Sequence, residues 1–278
     1  MAVFADASRP NKKPSDLAWL IRLFQFAGLV VSVSLLLSLA ALPLVELSWL
    51  QTFRRCVSIA SAISLWFVVK RLQGGSFAAY GFSSWREGRR EFGLGILLGL
   101  VALASILAIG LLTNSCAMDV IPDKAKLWRT VFGFIPAAVL VGILEELVFR
   151  GFIFQQLRHI SNPAAFVLSS VLYAVVHLRH PSWTLMTWME LFGLFLLGTL
   201  LCYSVWVTGR LWLSIGLHAS LAYGARINKL LIFLSDVSRE YLIGTSRLVN
   251  GITAWLVLMA LGVIIAFWAQ YTQRRRLE

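Results

Sequence analysis

Eight apolar runs divide this chain, near residues 17–42, 53–70, 91–113, 129–156, 163–179, 187–207, 211–227 and 249–270. The hydrocarbon core of a bilayer is about 30 Å thick, so a helix needs roughly 20 residues to cross it, and within it every backbone polar group must find a partner inside the protein. Runs of this length predict an all-α fold, a polytopic membrane helical bundle of about eight transmembrane helices. An ordinary soluble domain is excluded, since 59% of the residues are hydrophobic and 14% charged. The first run is too long for the core of a signal peptide. The basic start at Arg9, Lys12 and Lys13 then reads as the flank of an uncleaved first span.

A net charge of +12 does not by itself point to nucleic acid, because the Lys and Arg residues sit in short clusters between apolar runs and no nucleic-acid-binding motif is present. Such clusters suit cytoplasmic loops in contact with anionic lipid. With the N-terminus in the cytoplasm, Lys70, Arg71, Arg86, Arg89, Arg90, Arg158, Arg210 and Arg274, Arg275 and Arg276 all fall inside. Glu46, Asp119 and Asp123 fall outside, with Lys124, Lys126 and Arg129 as a partial exception. The expected location is therefore an integral protein of a bacterial inner (plasma) membrane with both termini cytoplasmic. Trp19, Trp49, Trp128, Trp183, Trp206, Trp212 and Trp268 fall near predicted span ends, where an interfacial aromatic belt is expected.

Three parts follow along the chain: spans one to three with a cytoplasmic amphipathic loop (1–127), a core of spans four to seven (128–225), and a C-terminal loop with the last span (226–278). The amphipathic element is expected between Gly74 and Arg90. Gly95 and Gly99 make a G-x-x-x-G, a pattern associated with helix packing in membranes. Cys56, Cys116 and Cys202 lack metal-ligand spacing and predict no disulfide framework.

Within the fourth run, Leu144-Glu145-Glu146-Leu147-Val148-Phe149-Arg150 sets two carboxylates and a guanidinium in an apolar segment. Each ionisable group costs about 2.5–3.5 kcal/mol near a helix centre, which offsets the roughly 4–7 kcal/mol returned by the apolar residues before Arg150. The charges must then face a protein interior or a wet cavity. Glu146 and Arg150 lie four residues apart on one helix face and are expected to pair, while Glu145, turned about 100° away, is left to act. A purely structural polar knot is the simpler alternative.

Two histidines are of the right chemical type to join Glu145. His177 ends the fifth run with Tyr173 one turn before it, and His218 lies in the seventh. Counting about 1.5 Å per residue from the cytoplasmic ends puts all three side chains roughly 10–22 Å deep. His159 beside Arg158 and His180 beside Pro181 are expected at the membrane edges.

The E-E-x-x-x-R of Glu145, Glu146 and Arg150, the pair Tyr173 and His177, and the later Gly216-Leu217-His218 carry a resemblance. In order and separation they resemble the three motifs of the CPBP family (CAAX protease and bacteriocin-processing, or Abi) of intramembrane proteases, over roughly residues 128–225. Two positions depart from the pattern: Tyr173 stands where Phe is usual, and Ala222 stands where the third motif usually has Asn or Asp.

The resemblance implies a CAAX-protease-like intramembrane endopeptidase that cuts a membrane-associated substrate with Glu/His-activated water. It implies Glu145 as general base, His177 as a second holder of the water and His218 as donor to the oxyanion, with Glu146, Arg150 and Tyr173 in support. The same Glu145, His177 and His218 would also make a three-ligand zinc site with an open water position, so metallo- and glutamate-type chemistry both stand, with Zn2+ the sole cofactor considered. The expected partners are membrane lipids and a membrane-associated peptide or protein. Two other classes of function compete. One is a catalytically inactive scaffold or immunity-type protein of the same fold, to which Ala222 lends weight. The other is a proton-coupled transporter, since buried Glu and His also form proton relays, although no repeated pair of broken helices is evident.

Overall fold

The computed structural model describes residues 17–178, 183–234, 240–244 and 249–274; Arg9, Lys12, Lys13, His180, Arg275 and Arg276 lie outside them. Each of the eight apolar runs is helical. In chain order the helices are α1 (Ala18–Ala41), α2 (Trp49–Phe67), α3 (Trp85–Leu112) and α4 (Lys124–Glu146), the last continued by a π-helical segment, Leu147–Ile153, and by α5 (Phe154–Leu157). Then come α6 (Asn162–His177), α7 (Leu185–Thr208), α8 (Trp212–Leu231), the short α9 (Glu240–Ile243) and α10 (Ile252–Arg274). Two short strands, β1 (Cys116–Met118) and β2 (Ile232–Leu234), pair antiparallel and tie the loop after α3 to the end of α8.

Among the described residues, six helical stretches are long and apolar enough to cross a membrane: Ala18–Leu44, Trp49–Leu72, Phe77–Leu112, Lys124–Leu157, Leu185–Thr208 and Ile252–Thr272. The other two expected spans are helices of a different character. α6 has only 16 residues. α8 carries Ser214, His218, Ser220, Arg226 and Lys229, and it tolerates the first three because every residue from Trp212 to Ser220 is buried in protein. The lipid-facing surfaces are the reverse, with Leu36 68%, Phe132 63% and Phe267 68% exposed, as suits a chain whose solvent is hydrocarbon.

Local signals set the helix ends. α2 starts earlier than its apolar run because Ser48 and Gln51 form a reciprocal capping box. Arg54, in its second turn, donates to the Leu178 carbonyl at the end of α6. Asp123 caps α4 through the Lys126 N–H, and Gly209, at φ 73°, ends α7 in the left-handed region that glycine adopts freely.

Glycines decide which helices touch. Gly95 faces the Leu213 carbonyl and the Leu217 N–H, Gly99 faces Ser220, and Gly216 faces the Phe92 carbonyl, so a Cβ at any of them would overlap the partner helix. The G-x-x-x-G of α3 is thus half of a close seam with α8. Contacts between Gly88 and Trp212, Gly99 and Ser220, and Leu103 and Gly224 advance together along both helices, which makes the pair parallel. α4 runs antiparallel on another side of α8, with Gly151 near Leu211, Gly142 near Ile215 and Ala219, and the Tyr223 hydroxyl on the Val131 carbonyl. α6 and α7 form an antiparallel pair through Phe166 and Trp206, Ser169 and Cys202, and Ser170 and Gly198. α8 is the axis of the bundle, packed by α3, α4 and α7.

The start of α3 departs from expectation. In place of an amphipathic element over 74–90 there is a 3-10 turn, Phe77–Tyr80, followed by the first turns of α3, because Phe77, Tyr80 and Phe82 find a core to pack against. Trp212, expected at the interface, is buried: it stacks on Phe82, meets Trp85 edge-on and donates to the Ser83 carbonyl, in space that Gly88 leaves free. Arg210 is more than a loop cation. Its guanidinium bonds both oxygens of Glu91 on α3, the shortest contact being 2.6 Å, and this carboxylate holds the Arg210 pKa above the usual arginine value. The three cysteines are free and buried.

Candidate active site

Three helices and the π-helical segment bring the motif residues together. α4 delivers Glu145 and Glu146 at its end, the π-helical segment delivers Arg150, α6 delivers Tyr173 and His177, and α8 delivers His218. Gly142, one turn before the glutamates, allows this approach, since a Cβ there would stand only 3.1 Å from the Ile215 carbonyl of α8. The backbone widens directly after Glu146 into the π-helical segment, whose seven residues are all buried. Single π turns of this kind often occur at functional sites.

The innermost layer is an ion pair. Arg150 Nη1 lies 2.8 Å from Glu146 Oε1, and both side chains are fully buried. Two further contacts support the guanidinium: Nη2 donates to the Gly198 carbonyl at 3.3 Å, and its centre lies 4.4 Å from the Tyr173 ring centroid. Desolvating two charges is tolerable only with such added partners. Gly198 can serve because it packs directly on Ser170, drawing α7 against α6. The same Oε1 of Glu146 accepts a second bond, from Nδ1 of His218 at 2.8 Å. A carboxylate paired with arginine only accepts, so Nδ1 of His218 carries the hydrogen.

Glu145 has different surroundings. Its side chain is 26% exposed and faces a cavity of about 440 Å³. Its Oε2 lies 3.1 Å from His177 Nε2 and 3.6 Å from His218 Nε2. His177 Nδ1 is 2.7 Å from the Tyr173 carbonyl, which can only accept, so that nitrogen also carries a hydrogen. The 3.1 Å contact with Glu145 then requires one proton between the two side chains. Tyr173 itself, 2% exposed, lies under His177 with ring centroids 4.2 Å apart.

The structure thus gathers Glu145, His177 and His218 around one carboxylate oxygen, and sets Glu146, Arg150 and Tyr173 behind them. Ala222 lines the same cavity one turn beyond His218. Its neighbour Tyr223 spends its hydroxyl on the Val131 carbonyl. His159 is exposed in the turn after α5 and is not among the residues lining the cavity. Sequence reasoning missed the bond from Glu146 to His218, which spans 72 positions, and the closeness that Gly142 and Gly198 make possible. One signal for it was present: Gly142 sits four residues before Glu146, on the same helix face.

Residues 127–223, about a third of the chain, match the family model described as Rce1-like, type II CAAX prenyl endopeptidase. Over this segment the chain is similar to the CPBP/CAAX protease family. Among curated proteins there is no match. All six motif residues of the site lie inside the segment matched to the CAAX protease family. The six apolar helices and a family of membrane proteases together make this an integral membrane protein.

Zinc can be tested against the donors present. Among the described residues, no group of three or more His, Cys, Asp and Glu side chains is spaced to hold a metal ion. Glu145, His177 and His218 close on one another at 3.1 and 3.6 Å. Separations of this size suit a hydrogen-bonded set, and they are also those of donors on one tetrahedral zinc, which stand roughly 3.3 Å apart.

Proposed function

We propose that this protein is an intramembrane endopeptidase that hydrolyses a peptide bond of a CAAX-type, membrane-associated substrate with water activated by Glu145 and His177. The observation that supports this reading is the convergence of both histidines on Glu145 Oε2 at the wall of a cavity that is otherwise largely apolar, with Leu194, Leu197, Leu221 and Val257 among its lining. An apolar cavity with a few convergent polar groups is the usual form of a site for a hydrophobic substrate.

The chemistry balances without a metal. A water beside Glu145 Oε2 and His177 Nε2 gives a proton to this pair as its oxygen bonds to the scissile carbonyl carbon. When the C–N bond breaks, the same proton passes to the leaving amine, and the pair returns to its starting state. The pair already shares one proton across its 3.1 Å contact, so it carries two while it holds the proton taken from water. His218 Nε2, when protonated, donates to the developing oxyanion, a role whose loss costs a factor of about 100–1000 in rate. Membrane lipids surround the bundle, and the substrate reaches the cavity within the plasma membrane.

The full chain in proteoliposomes, given a farnesylated, fluorescence-quenched peptide ending in a CAAX sequence, tests the reading. Wild type should cleave it, Glu145→Gln should not, and a zinc chelator should have no effect. Identical behaviour of wild type and Glu145→Gln would leave the second reading, an inactive scaffold of the same fold. That reading rests on Ala222, which puts a methyl group at the cavity where the family motif usually has an amide or carboxylate.

A further inference from the structure

The geometry points to Glu146 as the positioning residue of His218: it accepts the Nδ1 hydrogen, fixes the ring's tautomer and turns Nε2 towards Glu145 and the cavity, while Arg150 holds Glu146 in place. The inference deepens the hydrolytic reading of the site and rests on it for its kinetic arm alone.

If the ion pair of Arg150 and Glu146 only stapled one turn of helix, the strongest arrangement would be fork to fork, with two N–H groups on two oxygens. The pair is built otherwise. Arg150 gives Nη1 to Glu146 Oε1, gives Nη2 to the Gly198 carbonyl and lies against the Tyr173 ring. Oε1 of Glu146 is shared between that guanidinium and the imidazole of His218, each at 2.8 Å. The other oxygen of Glu146, also buried, has no partner among the described residues. The arrangement joins a histidine on α8 to an arginine beyond the end of α4 through one oxygen.

The ionisable groups around His218 leave Nδ1 to Glu146 alone. Glu145 on α4 approaches Nε2 at 3.6 Å, Tyr173 on α6 meets the imidazole ring edge-on at 6.1 Å between centroids, and His177 reaches Glu145 instead. Arg150 stands behind Glu146. α3, packed on the same helix, brings glycine to this level, with Gly95 and Gly99 against Leu217 and Ser220. With Nδ1 committed, any proton that His218 gains or loses is carried at Nε2, the atom facing the reacting groups. An imidazole without its orienting carboxylate interchanges tautomers and loses this direction. Adjacent glutamates on one helix thus take separate tasks, one for the water and one for the histidine.

The test uses the full chain with isotope-labelled histidine in nanodiscs, read by nitrogen NMR, with the His218 signals assigned by their loss in His218→Gln. In wild type, Nδ1 should be protonated and Nε2 should be the nitrogen that varies. The double variant Glu146→Leu with Arg150→Met removes both charges together and leaves no uncompensated ion in the core. It should show averaged tautomers, and with the farnesylated quenched peptide as probe it should lose about 100-fold or more in kcat while KM stays within about twofold. A double variant that keeps its Tm and its wild-type kcat overturns the proposal, and so does a wild-type His218 whose Nδ1 lacks a hydrogen. Should the double variant not fold, Glu146→Asp takes its place, since its carboxylate falls one methylene short of the ring. An unaltered His218 signature with unaltered kcat then overturns the proposal, and a changed signature with lowered kcat at retained Tm supports it. If wild type does not cleave the peptide, the hydrolytic reading fails, and the NMR arms still decide the place of Glu146.

Discussion

Glu145 and Glu146 are neighbours in the chain and belong to separate networks. Oε2 of Glu145 meets two histidine nitrogens at a cavity wall, while Oε1 of Glu146 is sealed between Arg150 and His218. The turn of about 100° between consecutive helical residues makes the separation.

Two substitutions one position apart should therefore behave differently. Glu145→Gln should keep expression and Tm and abolish cleavage of the farnesylated peptide. Glu146→Gln leaves the Arg150 charge in the core without its mate and should cost about 3–5 kcal/mol of stability, read as a fall in Tm in detergent. Equal Tm values for the two variants would show that the ion pair does not hold the bundle.

The seam between α3 and α8 makes a second prediction. Gly95→Ala and Gly216→Ala each push a Cβ into partner backbone, so each should destabilise by about 1–3 kcal/mol. Each should also reduce turnover, because His218 rides on α8. Gly93→Ala on the same helix meets nothing within 4 Å and should be neutral or stabilising by up to about 1 kcal/mol. A loss at Gly93 as large as that at Gly95 would refute the packing explanation.

Ala222→Asn restores a polar group one turn beyond His218 at the cavity. An increase in kcat is expected. Unchanged turnover would mean that oxyanion support comes from elsewhere, and Tyr223 is not that source while its hydroxyl is bonded to the Val131 carbonyl.

Reporter fusions after residues 80 and 278 should both read as cytoplasmic. Most of the cavity lining comes from the second halves of α3 and α8 and the first halves of α7 and α10, so in that orientation most of it lies towards the outer end of the bundle. Arg226→Cys should then be labelled by a membrane-impermeant thiol reagent from outside intact cells, with little background because Cys56, Cys116 and Cys202 are buried. A cytoplasmic signal from the labelled position, or an external one from either fusion, would invert the arrangement.

The helices were legible because hydrocarbon thickness imposes a length that residue counting detects, and the motif residues because charges in an apolar run have few explanations. What escaped was decided by shape. Trp212 looks interfacial until Gly88 opens a space for its indole. Gly95 and Gly99 are indistinguishable in sequence from chance glycines until the backbone of α8 is found against them. The bond from Glu146 to His218 depends on a helix crossing that no local pattern encodes. Arg210 read as a loop charge because its partner, Glu91, comes from a distant helix.

The buried first half of α8 also bears on how the protein is made. A segment with Ser214, Gly216, His218 and Ser220 packed wholly against protein gains little from lipid as it leaves the ribosome, and its polar groups resist release into hydrocarbon. Its partners α3 and α4 precede it in the chain and are already in the membrane when it emerges. Biogenesis then requires α8 to pass from the insertion machinery directly into a waiting groove, and damage to that groove would first be seen as degradation of the nascent chain.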